Sequence, residues 1–226
     1  MIPSGPRQLA FALGHDESLA REDFLAGPPN AAALALIESW PDWPARIVAL
    51  VGPEGAGKSH LAAIWGANSG ARAISGRGLD EAAIPMALST GALVVEDLVE
   101  SQLDERALFH LLNLAREHNG YILLTARTPP SGWSVGLRDL ASRLREIPVV
   151  TLSAPDDVLL RAVLVKLFAD RQLAVDESLI GYLVLRIERS FAAARAAVAA
   201  LDREALRLQR PVTRALAAEL FHDQVA

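Results

Sequence analysis

Eight consecutive residues, Gly52-Pro53-Glu54-Gly55-Ala56-Gly57-Lys58-Ser59, match G-x-x-x-x-G-K-[ST] at every fixed position. The residue types suit one task, holding phosphate. Glycines let the backbone curl so that its N–H groups point inward at phosphate oxygens. The helix opening at Lys58 adds the positive end of its dipole. Lys58 would reach the β- and γ-phosphates and the Ser59 hydroxyl would ligate Mg²⁺. His60 follows on the same helix and is counted with the loop. The bland alternative, a glycine-rich turn before a helix, is weakened by the apolar run Ile47-Val48-Ala49-Leu50-Val51 directly upstream. Strand, loop and helix are the context this motif requires.

A phosphate loop needs an acid at the tip of a neighbouring strand. Leu93-Val94-Val95-Glu96-Asp97 supplies two. Glu96 would sit near Mg²⁺ and Asp97 would orient an attacking water. Against this stands the ordinary strand that ends in solvated acids. Thr125 closes the strand Tyr121-Ile122-Leu123-Leu124-Thr125 on the same carboxyl edge, where ligands bind in such sheets. It either senses the γ-phosphate or caps its strand, and the residues alone leave both open. Five histidines show no metal-ligand spacing, and no Ser–His–Asp arrangement is convincing. Cysteine is absent, which excludes disulfides, thiolate zinc sites and a catalytic thiol, and fits a reducing cytoplasm.

Positioning these groups calls for an α/β fold with a parallel sheet. Short apolar runs at 47–51, 71–75, 92–96, 121–125 and 147–150 read as strands. Helical patterns at 30–40, 58–68 and 104–118 alternate with them, with Asn30 as the expected cap of the first. Beyond about residue 153 strand signals stop, and helices are expected over 156–170, 176–187, 190–209 and 213–223. The organisation expected is a segment 1–20, an α/β base 21–152 and a small all-helical lid 153–226. The 226 residues are 51% apolar and 22% charged, enough for a sizeable core. A net charge of −5 argues against binding nucleic acid through bulk charge. No apolar run approaches a membrane span, and the first residues do not read as a secretory leader, so a cytoplasmic protein is expected.

Together these features resemble the AAA+ ATPases, most closely the DnaA branch and, within it, the Hda-like regulatory inactivators of DnaA. Asp23-Phe24-Leu25-Ala26-Gly27 followed by Asn30 is similar to the family's adenine-side segment. The resemblance thus implies that Phe24, Leu25 and Asn30 contact nucleotide. Thr125-Ala126-Arg127-Thr128-Pro129-Pro130 is similar to its sensor 1 strand and turn. Leu140-Ala141-Ser142-Arg143-Leu144 resembles the arginine-finger segment, with Arg143 as the finger. Arg189-Ser190-Phe191 resembles the sensor 2 position, with Arg189 facing phosphates. Gln8-Leu9-Ala10-Phe11-Ala12-Leu13 is similar to sliding-clamp-binding peptides, with Gln8 offering amide bonds and Leu9, Phe11 and Leu13 filling pockets. The alternative is an arm packing on its own domain. The chain stops at Ala226, just after the expected lid, so the resemblance implies a relative of DnaA without its DNA-binding domain.

The resemblance implies ADP or ATP as cofactor with Mg²⁺ held by Ser59 and Glu96. It implies DnaA and the polymerase III sliding clamp as partners and DNA contact only through the clamp, with self-association left open. Two departures qualify it. The acid pair begins with Glu96 where the family usually has Asp, and Arg127 falls where DnaA commonly carries an acid. Both reduce the expected hydrolysis by this chain and leave phosphate binding intact. Two other readings are kept: a stand-alone ATPase such as a helicase loader of the DnaC kind, and an adaptor whose nucleotide is only structural.

Overall fold

The computed structural model describes residues 19–221. The segment Gln8 to Leu13 lies outside the described residues. Five strands form one parallel sheet: β1 Ile47–Val51, β2 Arg72–Ser75, β3 Ala92–Leu98, β4 Tyr121–Ala126 and β5 Val149–Thr151, in the order β2-β3-β4-β1-β5. The acid strand β3 and the loop strand β1 therefore flank β4. All five residues of β1 are buried, as expected of a parallel strand covered on both faces.

Side-chain alternation sorts the sheet into two cores. Ile47, Ala49 and Val51 of β1 face one side with Leu93, Val95, Ile122 and Leu124. Helices α4 (Glu105–Glu117) and α5 (Arg138–Glu146) cover that side, with the short α3 (Ile84–Ala87) beside them. Val48 and Leu50 face the other side with Val94 and Leu123, covered by α1 (Ala31–Glu38) and α2 (Lys58–Ser69). A third core belongs to helices alone: α6 (Asp157–Asp170), α7 (Glu177–Val184), α8 (Phe191–Leu208) and α9 (Arg214–Phe221).

The helix starts follow from local chemistry. Asp104, Asp156, Asp176 and Ser190 each accept the N–H three residues on, capping α4, α6, α7 and α8. Helix α5, which carries Arg143, has no such residue, because its N-cap is Leu137. A carboxylate from α4 does the work instead: Glu105 accepts from Gly136 N–H at 2.8 Å and from Leu137 N–H at 2.9 Å. The last strand begins two residues later than the apolar run 147–150 suggests. Pro148 has no N–H to give, although its carbonyl accepts from Ala49 at 2.9 Å. Pairing with β1 starts at Val149. Among the described residues no helix is long and apolar enough to cross a membrane.

Candidate nucleotide site

The loop leaves β1 at Gly52 and enters α2 at Lys58 through two left-handed turns, Gly55 at φ 72° and Gly57 at φ 96°. L-residues rarely hold such angles, so glycine is required by conformation alone. At Gly55 space demands it too, since a Cβ there would lie 2.7 Å from Ser190 Cβ. This contact brings the helical layer onto the loop. Phe191, the first residue of α8, donates its N–H to the Gly55 carbonyl at 2.9 Å. The first residue of α8 is thus bonded to the loop that opens α2, and helix N-termini favour negative charge.

Lys58 is only 6% exposed, and its ammonium donates to the carbonyls of Gly52 and Pro53, both at 2.8 Å. Burial holds its pKa below the usual lysine value; Asp97 opposes this, Arg127 adds to it and Glu54 opposes it. Asp97 has φ 52° at the end of the acid strand, and the β3–β4 register slips between Val95 and Leu98. Its N–H is held by Thr125 Oγ1 at 2.9 Å. Thr125 is fully buried, and its hydroxyl pins the Asp97 main chain.

These groups surround a cavity of about 550 Å³. Glu54, Gly55, Gly57, Lys58, Ser59, His60, Asp97 and Arg127 form one wall. Leu19, Asp23, Phe24 and Leu25 enter from the segment before α1. Helices α6 and α8 complete it with residues that include Val163, Lys166, Phe191 and Arg195. The walls are tied together: Lys166 Nζ lies 2.6 Å from Asp23 and 2.8 Å from Asp170. The Phe24 ring meets His60 edge-on at 5.2 Å, and His60 Nε2 contacts the Ala20 carbonyl at 2.9 Å.

No family model and no curated protein matches the chain. Solved structures do resemble it. Domain III of the Thermotoga maritima replication initiation protein DnaA has a TM-score of 0.73 at 19% identity, covering 91% of this chain and 96% of that one. The Thermotoga maritima RuvB Holliday junction branch migration motor has a TM-score of 0.71 at 16% identity, covering 89% and 70%. AMPPCP-bound DnaA from Aquifex aeolicus has a TM-score of 0.65 at 18% identity, covering 81% and 64%. The chain has the AAA+ P-loop fold that these structures share.

Within this AAA+ fold the expected site residues separate into three groups. Glu54, Gly55, Gly57, Lys58, Ser59, His60, Phe24, Leu25 and Asp97 come together around the cavity. Gly52, Pro53, Ala56 and Thr125 stand behind it as support, Gly52 by its carbonyl and by the close approach of Leu152 O, 2.4 Å from where its Cβ would be. Four residues sit elsewhere. Asn30, expected at the nucleotide and as a helix cap, is 1% exposed and makes no capping bond. It accepts from Gly27 N–H at 2.9 Å and donates to Leu25 O at 3.0 Å, pinning the loop that carries Leu25. Arg189 precedes the α8 cap and turns to Asp157 at 2.9 Å, outside the cavity lining. The arginine that α8 brings to the cavity is Arg195, one turn beyond Phe191 and missed from sequence. Helical spacing after the Ser190 cap was the available signal.

Of the acid pair, Asp97 reaches the cavity and Glu96 does not line it. Glu96 Oε1 is nevertheless buried without a hydrogen-bond partner, an oxygen that a cation would satisfy. Among the described residues no cluster of three or more acids and histidines could hold a metal alone. The set fits Mg²⁺ bound together with phosphate, through Ser59 and the carboxylates at the β3 tip. Arg143 lies at the opposite end of the sheet. It helps line a small cavity of about 110 Å³ with Arg46, Arg116 and Ile47, the first residue of β1, and stacks over Phe109 at 5.2 Å. The five residues of β1 put roughly 16 Å between that end and the loop.

Proposed function

We propose that this protein is a nucleotide-binding AAA+ regulator of replication initiation that acts on DnaA in trans. The observation that carries the reading is the buried Lys58 at a helix N-terminus, facing a cavity closed by the helical layer. Lys58, Arg195 and the N–H groups of the loop neutralise the phosphates of ADP or ATP. Phe24 and Leu25 cover the base side. Ser59 and Glu96 would hold Mg²⁺, which would help neutralise charge on the phosphates. Asp97, its main chain pinned by Thr125, accepts a proton or aligns water, and Glu96 in place of Asp makes turnover by this chain slow.

Arg143 is far from the chain's own cavity and serves a neighbour. In this reading it approaches the terminal phosphate of ATP-bound DnaA and stabilises the charge of the transition state, a contribution worth ~10³–10⁵ in rate for such fingers. Gln8, Leu9, Phe11 and Leu13 tether the protein to the sliding clamp, which raises the effective concentration of a weak contact. DNA is met only through the clamp, and the protein works in the cytoplasm. The test is phosphate release from ATP-bound DnaA on clamp-loaded DNA. Wild type accelerates it, whereas Arg143→Ala binds nucleotide normally and does not. Equal acceleration by both proteins removes the finger assignment. Turnover by this chain alone, lost on Glu96→Gln and indifferent to the clamp, favours a stand-alone ATPase.

A further inference from the structure

The surroundings of Arg127 give it a task. It is the residue immediately after β4, the strand lying between the loop strand β1 and the acid strand β3. Thr125 and Ala126, both buried, fix that strand tip. Arg127 lines the same cavity as Lys58, Ser59 and Asp97, and its charge is felt at Lys58. Its guanidinium is paired with Glu54, a residue of the phosphate loop itself. That pair spans the mouth of the cavity, and both side chains are mostly exposed, at 65% and 75%. An ion pair so exposed is weak and readily exchanged. A terminal phosphate offers more: two charge-assisted bonds to a fork whose geometry matches it. The same phosphate would repel Glu54.

We propose that Arg127 is a phosphate-reading arginine of this chain's own site, held by Glu54 until a terminal phosphate takes it over, so that the cavity distinguishes a nucleoside triphosphate from a diphosphate. The proposal rests on the nucleotide reading above. A diphosphate, anchored by Lys58 and the loop, leaves the Glu54–Arg127 pair in place. A triphosphate breaks it and draws Arg127 toward the β3 tip, between Asp97 and the loop. A cation at this position favours binding of the triphosphate and, unlike a carboxylate, cannot take a proton from water.

Calorimetric titration of the full chain with Mg-ADP and with the non-hydrolysable Mg-AMPPCP tests this. Arg127→Ala should weaken AMPPCP by roughly tenfold or more, the worth of a lost charge-assisted bond, and ADP by much less. Arg127→Lys keeps the charge without the fork and should fall between. Glu54→Gln frees the arginine and should strengthen AMPPCP relative to ADP. Equal losses for both nucleotides in Arg127→Ala, or no loss, overturn the proposal. So does a Glu54→Gln variant that loses AMPPCP selectively, because the pair would then be needed intact. A wild-type protein that binds neither nucleotide sinks the nucleotide reading itself, before any variant is made.

Discussion

Lys58 is a buried cation that a bound phosphate would stabilise. Its ammonium is buried against two carbonyls, and its pKa lies below the ordinary 10.5. Between the folded value and 10.5 the unfolded chain binds more protons, so this group makes the protein more stable as pH rises through that window. Bound phosphate reverses the balance by stabilising the charged form. Nucleotide binding should therefore take up a proton in the window, and affinity for Mg-ADP should fall as pH approaches 10.5. Calorimetry in buffers of different ionisation enthalpy counts that proton; none taken up, with flat affinity, contradicts it. Thr125 makes a second test. Replacing it with Val leaves the Asp97 N–H without its acceptor and should cost about 1–3 kcal/mol by urea denaturation. Nucleotide affinity should change little, while any slow turnover falls. Among residues the loop was legible because its chemistry is contiguous. Arg195 and Lys166 were not, since Lys166 meets Asp23 from 143 residues away. Arg189, expected to face phosphates, stands just before the Ser190 cap of α8 and pairs with Asp157.

At the scale of elements, the buried strands were readable because each is a short apolar run between glycine or proline breaks, and parallel strands bury both faces. The starts of four helices were readable at 104, 156, 176 and 190, positions that the structure shows to be the caps Asp104, Asp156, Asp176 and Ser190. Helix α5 was not anticipated, because its cap is a carboxylate borrowed from α4 and its core contribution is only Leu140 and Leu144. That borrowing has a consequence for Arg143. Glu105 holds the start of α5 and Phe109, four residues along α4, lies under the Arg143 guanidinium. Glu105→Ala should destabilise the fold by about 2 kcal/mol, from loss of two charge-assisted acceptors. On the proposed reading it should also reduce stimulation of DnaA-bound ATP hydrolysis without changing ADP affinity. Ser190→Ala removes the α8 cap and should cost about 1 kcal/mol. Here ADP affinity should fall as well, since α8 forms a wall of the cavity. Unchanged affinity would mean that the helical layer does not clamp the nucleotide.

Across the whole molecule, charge is arranged at two ends of one sheet. The carboxyl edge gathers Lys58, Arg127, Arg195 and Asp97 around the cavity. The opposite edge presents Arg143 with Arg46 and Arg116. In the proposed reading the first end takes a nucleotide and the second offers Arg143 to a neighbouring molecule. Both ends depend on the first having a ligand. The most direct measurement is titration of Mg-ADP into the full chain, wild type against Lys58→Ala. Saturable one-to-one binding by wild type, weakened ~100-fold or more in the variant through loss of its charge-assisted phosphate contacts, is the expected result. No binding by the wild type, or equal binding by both, would contradict the account.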